Sequence, residues 1–217
     1  MAPELIPALL CQDETSFHDR LKMVESEVPW VQVDILDGTL YANTSWADAH
    51  VISTWHINTS LELHLMVEDP AHIISTWNTV TSFRRAIWHI EAKIDHTSLI
   101  QAVRNTGREV GLAIAPSTPL EKLTPYLADI DRVLILGVEP GWSGQPLIPT
   151  SLEHVRQLQK QTPHPTISFD GGVTEETLPG IIKAGAESIC ASSLIFNHPP
   201  IPERLQEIRA KLDKESV

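Results

Sequence analysis

Short apolar runs alternate with longer stretches of helical period along the chain. The runs are LIPALL (5–10), WVQVDIL (30–36), LELHLMV (61–67), AIWHIE (86–91), EVGLAIA (109–115), RVLILGV (132–138), TISFD (166–170) and SICASSLI (188–195). Each predicts a strand buried on both faces. Between them, Phe17, Leu21, Val24 and Val28 recur on one helical face over 15–28, behind a Thr15/Ser16 cap. Leu152, Val155 and Leu158 do the same over 151–160, as do Ile201, Leu205, Ile208 and Leu212 in the last segment. No linker or low-complexity tract interrupts the pattern. Eight strand-then-helix units within 217 residues leave an open doubly wound sheet or a closed barrel. The count predicts a single (β/α)8 TIM barrel over 1–217. A dinucleotide-binding sheet would need a glycine-rich turn after its first strand, where this chain has Leu10-Cys11-Gln12-Asp13-Glu14.

Polar residues inside such strands are costly unless paired, and so are informative. Side chains alternate along a strand, so Gln32 and Asp34 face the barrel interior if Val31, Val33 and Ile35 pack on helices. His64 stands near the C-terminal end of the third strand, and Asp170 ends the seventh. All converge on the C-terminal mouth, where barrel enzymes keep their chemistry. Taken singly, Asp34 could instead belong to a buried salt bridge and Asp170 could cap a helix. With no Lys or Arg expected at interior-facing strand positions, a metal or a substrate is the expected partner.

The net charge of -12 argues against nucleic-acid or anionic-membrane partners and requires a local device to hold any anionic substrate. Glycines and hydroxyls supply one. Gly141-Trp142-Ser143-Gly144-Gln145 follows strand six, Gly171-Gly172 follows strand seven, and Ser192-Ser193 lies at the end of strand eight. Loops after strands seven and eight, with a helix N-terminus, form the usual phosphate site of such barrels through backbone N–H groups. The start MAPELIPALL has neither the basic end nor the apolar core of a signal peptide, and no run spans a bilayer; a cytosolic location is expected. Cys11 and Cys190 are expected to be buried thiols.

Four segments together resemble the ribulose-phosphate 3-epimerase family. Asp34-Ile35-Leu36-Asp37-Gly38 is similar to its D-x-M-D-G and Leu63-His64-Leu65-Met66-Val67 to its x-H-L-M-V. Val138-Glu139-Pro140-Gly141-Trp142-Ser143-Gly144-Gln145 is similar to V-x-P-G-F-G-G-Q, and Asp170-Gly171-Gly172-Val173 to D-G-G-V. The resemblance implies an isomerase of the pentose phosphate pathway that interconverts D-ribulose 5-phosphate and D-xylulose 5-phosphate. Asp34 and Asp170 would be the acid–base pair, working through an enediolate, with His64 and the glycine and serine segments around the substrate. It also implies a homo-oligomer and a divalent metal (zinc, manganese, iron or magnesium) held by two His and two Asp, here Asp34, His64 and Asp170.

The second histidine of that set is replaced by Gln32. An amide oxygen suits zinc poorly and manganese or magnesium better, so the departure implies weaker binding, a changed preference or none. Alternatively the Gln32 amide donates to the enediolate. Two further departures are Ala8 for a serine and Ser192 for a glycine. His89 and Glu91 form a His-x-Glu that the family shares and that is expected to play a structural or supporting role; His56, His72 and His96 are given none. The alternatives are a 3-epimerase of a ketohexose 6-phosphate and a barrel that binds sugar phosphates without turnover. No lysine stands where phosphosugar decarboxylases and related synthases need one.

Overall fold

Each apolar run becomes a strand, and the strands pair in chain order: β1 Glu4–Leu9, β2 Trp30–Leu36, β3 Ser60–Met66, β4 Phe83–His89, β5 Glu109–Ile114, β6 Arg132–Leu136, β7 Thr166–Asp170 and β8 Ser188–Ala191. All pairings are parallel, and β8 closes on β1 from Glu4↔Ser188 to Pro7↔Ala191, giving a (β/α)8 barrel. This computed structural model describes residues 2–141 and 144–215; Trp142 and Ser143, expected near the substrate, lie outside the described residues.

Two apolar layers follow from strand alternation. Val31, Val33 and Ile35 pack outward with the helices, whereas Ile6, Ala8, Ile87, Ala113, Leu134, Leu136 and Cys190 form a separate cluster inside the barrel. The interior therefore has room for only a few polar groups, which sit near its two ends.

Local chemistry explains the departures from expectation. The first helix, α1 (Glu14–Val24), is capped by Asp13, whose side chain accepts from Ser16 N at 2.9 Å, rather than by Thr15 or Ser16. It stops before Val28, because Pro29 disfavours helical backbone at the residue before it. After β5 the connection is a 3-10 helix, Leu120–Tyr126, which tolerates Pro125 and its missing N–H. Strand β8 ends at Ala191, four residues early, and Ser193–Phe196 form one turn of helix.

The interior does hold arginines, contrary to expectation. Strand β4 begins three residues before the apolar run, and its register against β3 shifts between Leu61 and Glu62, which places Arg85 opposite Glu62. Arg85 donates to the fully buried Glu62, pairs with Glu109 at 2.6 Å and lies 3.9 Å over the Trp30 ring. Arg132 donates to Ser168 at 2.6 Å and to Ser188, with Glu4 3.7 Å away. Glu4, Glu109, Arg132 and Ser188 each begin a strand, so this network closes the N-terminal end of the barrel, opposite the candidate site. Removing one partner of a buried pair is far costlier than replacing both. Arg85→Met is expected to cost about 3–5 kcal/mol in urea unfolding, and adding Glu62→Leu to recover most of it; equal losses in the single and double variants would contradict this account of the pair.

Candidate active site

The C-terminal ends of β2, β3 and β7 bring together three residues far apart in the chain. Asp34 pairs in register with His64 across β2 and β3, and Asp170 is the last residue of β7. Their ligand atoms lie within 4.8 Å of one another, and this is the group among the described residues that could hold a metal ion. The backbone beneath is braced. Ser45 Oγ donates to the Asp34 carbonyl at 2.7 Å and accepts from Leu36 N at 3.0 Å. Gly137 N donates to the Asp170 carbonyl at 2.6 Å, and a Cβ on Gly137 would stand 2.1 Å from the Gly171 carbonyl, so only glycine lets β6 approach so closely.

Below the carboxylates, Gln32 Nε2 donates to Asp34 Oδ1 at 2.8 Å and to Asp170 Oδ2 at 2.7 Å. Its Oε1 is buried and has no partner among the described residues. Beside them, His64 Nδ1 donates to Asp34 Oδ1 at 2.9 Å and lies 3.5 Å from Asp170 Oδ2. The other His64 nitrogen is 3.0 Å from His89 Nε2, and His89 Nδ1 lies 3.0 Å from both Glu91 Oε2 and the Tyr41 hydroxyl. Every contact between these nitrogens and the carboxylates is satisfied when His64 is doubly protonated and His89 carries its proton on Nδ1.

The electrostatics agree with that pattern. Burial pushes the Asp34 carboxyl up, and the Asp170 charge pushes the same way, against hydrogen bonds from His64 and Gln32. Burial alone would lower His64, but Asp170 and Asp34 outweigh it and hold the ring up at about 9. Burial pushes His89 down, opposed by Glu91 and reinforced by His64. Glu91 would be raised by burial, yet hydrogen bonds from His89, Thr118 and the Ala115 N–H bring it to about 2.

A cavity of about 690 Å³ of empty space, open to solvent, stands over this cluster. Asp34, His64 and Asp170 line it, whereas Gln32 does not, so the expectation that its amide reaches an enediolate is not supported by the geometry. Gly141 and Gly144 line one part of the wall, and Gly171, Gly172, Ser192 and Ser193 another. Gly171 and Gly172 have φ of +90° and +65°, and a Cβ on Gly172 would come within 2.9 Å of Leu147, so the turn requires glycine. Among the described residues, no Lys or Arg lines the cavity. Ala8 lines it without offering a hydrogen bond.

Two residues that motif reading passed over tie the loop after β2 to the site. The loop after β2 sends Tyr41 to His89, and Asn43 Nδ2 donates to the Gly141 carbonyl at 2.5 Å. Neither carries a periodic signal, because both lie in irregular chain; only their polarity beside the Asp34 motif could have marked them. His56 and His72 are exposed and away from the site, and buried His96 accepts from Trp88 Nε1 at 3.1 Å.

A family model described as the ribulose-phosphate 3 epimerase family matches residues 4–196. The chain belongs to this family. Among curated relatives, a ribulose-phosphate 3-epimerase of Treponema pallidum is 35% identical, with 89% of this chain and 91% of the relative covered. The cytoplasmic isoform of Oryza sativa subsp. japonica is 30% identical over 98% of this chain and 95% of its own. Membership of the epimerase family makes the chain an isomerase. Among solved structures, 3-hexulose-6-phosphate synthase from Salmonella typhimurium superposes with a TM-score of 0.71 at 13% identity, covering 98% of this chain and 99% of that one. Orotidine 5'-monophosphate decarboxylase from Sulfolobus solfataricus gives 0.69 at 13%, covering 99% and 100%. At such identities the likeness concerns the fold alone. No helix among the described residues is long and apolar enough to cross a membrane.

The chain from Glu91 through His89 to His64 has a stability signature. The Glu91 pKa is lowered on folding, so its contribution is fully present above its ordinary value of 4.5 and is lost as pH falls toward about 2. Glu91→Gln is expected to lower unfolding free energy by about 2 kcal/mol at neutral pH, with the gap to wild type closing as pH falls below that ordinary value. Urea titrations at several pH values measure it; a gap that is constant with pH would contradict the assignment.

Proposed function

We propose that this epimerase-family barrel interconverts D-ribulose 5-phosphate and D-xylulose 5-phosphate by proton transfer at carbon 3. The observation that carries the proposal is the pair of carboxylates from β2 and β7 under a cavity whose wall is otherwise mostly apolar side chains and glycines, with His64, Ser192 and Ser193 as its other polar residues among those described. A proton on carbon 3 is acidified by the neighbouring ketone, and its removal gives an enediolate. Inversion requires that one carboxylate take the proton from one face and the other carboxyl return one to the opposite face. A carboxyl raised by burial, as Asp34 is, holds a proton more readily than an exposed carboxyl does, which suits a group that must both accept and release one.

The phosphate is proposed to rest against the backbone of Gly171, Gly172, Ser192 and Ser193, on the cavity wall beside Asp170. Backbone N–H groups there would bind a dianion in a chain of strongly negative charge that offers no Lys or Arg at this mouth. Gly141 and Gly144 are proposed to contact the sugar, with Asn43 holding their loop. A cytosolic location is part of the proposal; the Oryza relative is named as a cytoplasmic isoform.

A divalent cation held by Asp34, His64 and Asp170 would supply positive charge to the enediolate oxygens. Asp34 and Asp170 fit such an ion, and His64 does once Nδ1 gives up its proton. The fourth position does not, because Gln32 turns N–H groups toward the carboxylates and leaves its oxygen pointing away. The proton transfers above therefore run through the chain's own groups, with Gln32 and His64 donating to the two carboxylates between steps.

In a coupled assay on D-ribulose 5-phosphate, Asp34→Asn and Asp170→Asn are each expected to lower kcat by about 10³-fold, within the range for loss of a positioned acid or base, while KM moves little. Comparing kcat/KM for the pentulose phosphate and a ketohexose 6-phosphate tests the choice of sugar, which Ala8 leaves open by withdrawing a hydroxyl from the wall. Preference for the hexulose would replace the substrate and keep the chemistry; turnover of neither would sink the proposal.

A further inference from the structure

Resting on the epimerase function proposed above, we infer that Gln32 is a positioning residue whose two amide N–H groups cross-link Asp34 and Asp170, so that the acid–base pair stays assembled with no cation bound. One nitrogen carries two hydrogens and serves two carboxylates, at 2.8 and 2.7 Å, on strands whose residues are separated by 138 positions in the chain. This is the bridging task that a divalent ion would perform. With His64 Nδ1 at 2.9 Å from Asp34, the pair is held by N–H donors from below and from the side.

The orientation of the amide follows from its surroundings. If it turned over, Oε1 would stand against two carboxylate oxygens, and the N–H groups would move to where Oε1 now has no partner. With both carboxyls ionised, a cation between the oxygens would be needed to reverse that balance. A cation that took Gln32 as its fourth ligand would break two charge-assisted hydrogen bonds and strand a buried N–H group, a cost that a histidine ligand at the same place would not carry. Gln32 is fully buried and does not line the cavity, so it acts on the substrate only through the two aspartates.

Gln32→Glu keeps the shape and replaces both donors with a third carboxylate, whereas Gln32→Met keeps most of the volume and offers no hydrogen bond. Thermal unfolding of the full chain in EDTA and in manganese chloride, with free manganese read by electron paramagnetic resonance, separates the cases. Wild type is expected to show the same Tm in both and to keep its turnover in EDTA. Gln32→Glu is expected to lose Tm in EDTA, to regain it in manganese and to bind the ion at least ~10-fold more tightly than wild type, the scale of effect that groups supporting a metal site have. Gln32→Met is expected to lower kcat by ~10–100-fold with KM little changed, with or without manganese. Wild type that holds stoichiometric metal and loses Tm and turnover on chelation would overturn the inference, as would unchanged kcat in Gln32→Met. Absence of turnover on either sugar, with the manganese and Tm pattern intact, would remove the epimerase function and leave the cross-link standing.

Discussion

Two carboxylates that hydrogen-bond to a single amide nitrogen, under a cavity with little other polar lining, are the constraint on which the rest of this site turns. Like charges at such separation resist joint ionisation, and burial adds to that resistance, as the raised Asp34 carboxyl records. Holding them together requires donors that cannot drift. Gln32 and His64 meet that need from strands β2 and β3, and His64 is in turn held by His89 and Glu91. The barrel supplies the geometry. Parallel closure brings β2 and β7 to one mouth, and the glycines at 137, 171 and 172 let the neighbouring loops approach without a Cβ collision.

The distribution of charge inside the barrel is as important as its amount. Arginines lie at the N-terminal end with Glu62, Glu109 and Glu4, where they close the barrel. The C-terminal mouth has none among its lining residues. That separation keeps a guanidinium away from Asp34 and Asp170; one placed there would depress their affinity for protons, making each a weaker base and leaving neither protonated to serve as the acid in the proposed reaction. For the proposed phosphate, the same absence leaves backbone groups as the donors, supplied by the glycine and serine turns beside Asp170.

Much of this architecture was legible before any coordinates. Seven of the eight apolar runs mark their strands to within three residues at either end, because fully buried parallel strands need continuous hydrophobic sequence. The exception is β8, where the run continues into a turn of helix through Leu194 and Ile195, residues that are apolar because they are buried in either conformation. Asp34, His64 and Asp170 stood out because each breaks an apolar run. Arg85 did not, since polar Arg84 precedes it and a register shift against β3 carries it inside; no periodicity encodes such a shift. Arg132 was hidden for a related reason, being the first residue of its strand, a place where exposure is the ordinary expectation. The orientation of Gln32 was equally out of reach. Its position in the motif names the ligand it replaces, but which end of the amide meets the carboxylates depends on Asp34 and Asp170, brought together from β2 and β7.

Transfer of the carbon-3 proton between substrate and the aspartates is the central step of the proposed reaction. With the purified chain in deuterated water and D-ribulose 5-phosphate, proton magnetic resonance follows that position directly. The account predicts that the carbon-3 signal disappears from product and from recovered substrate while the other carbon-bound protons persist. Saturable binding of the sugar phosphate with the carbon-3 proton retained indefinitely would contradict it.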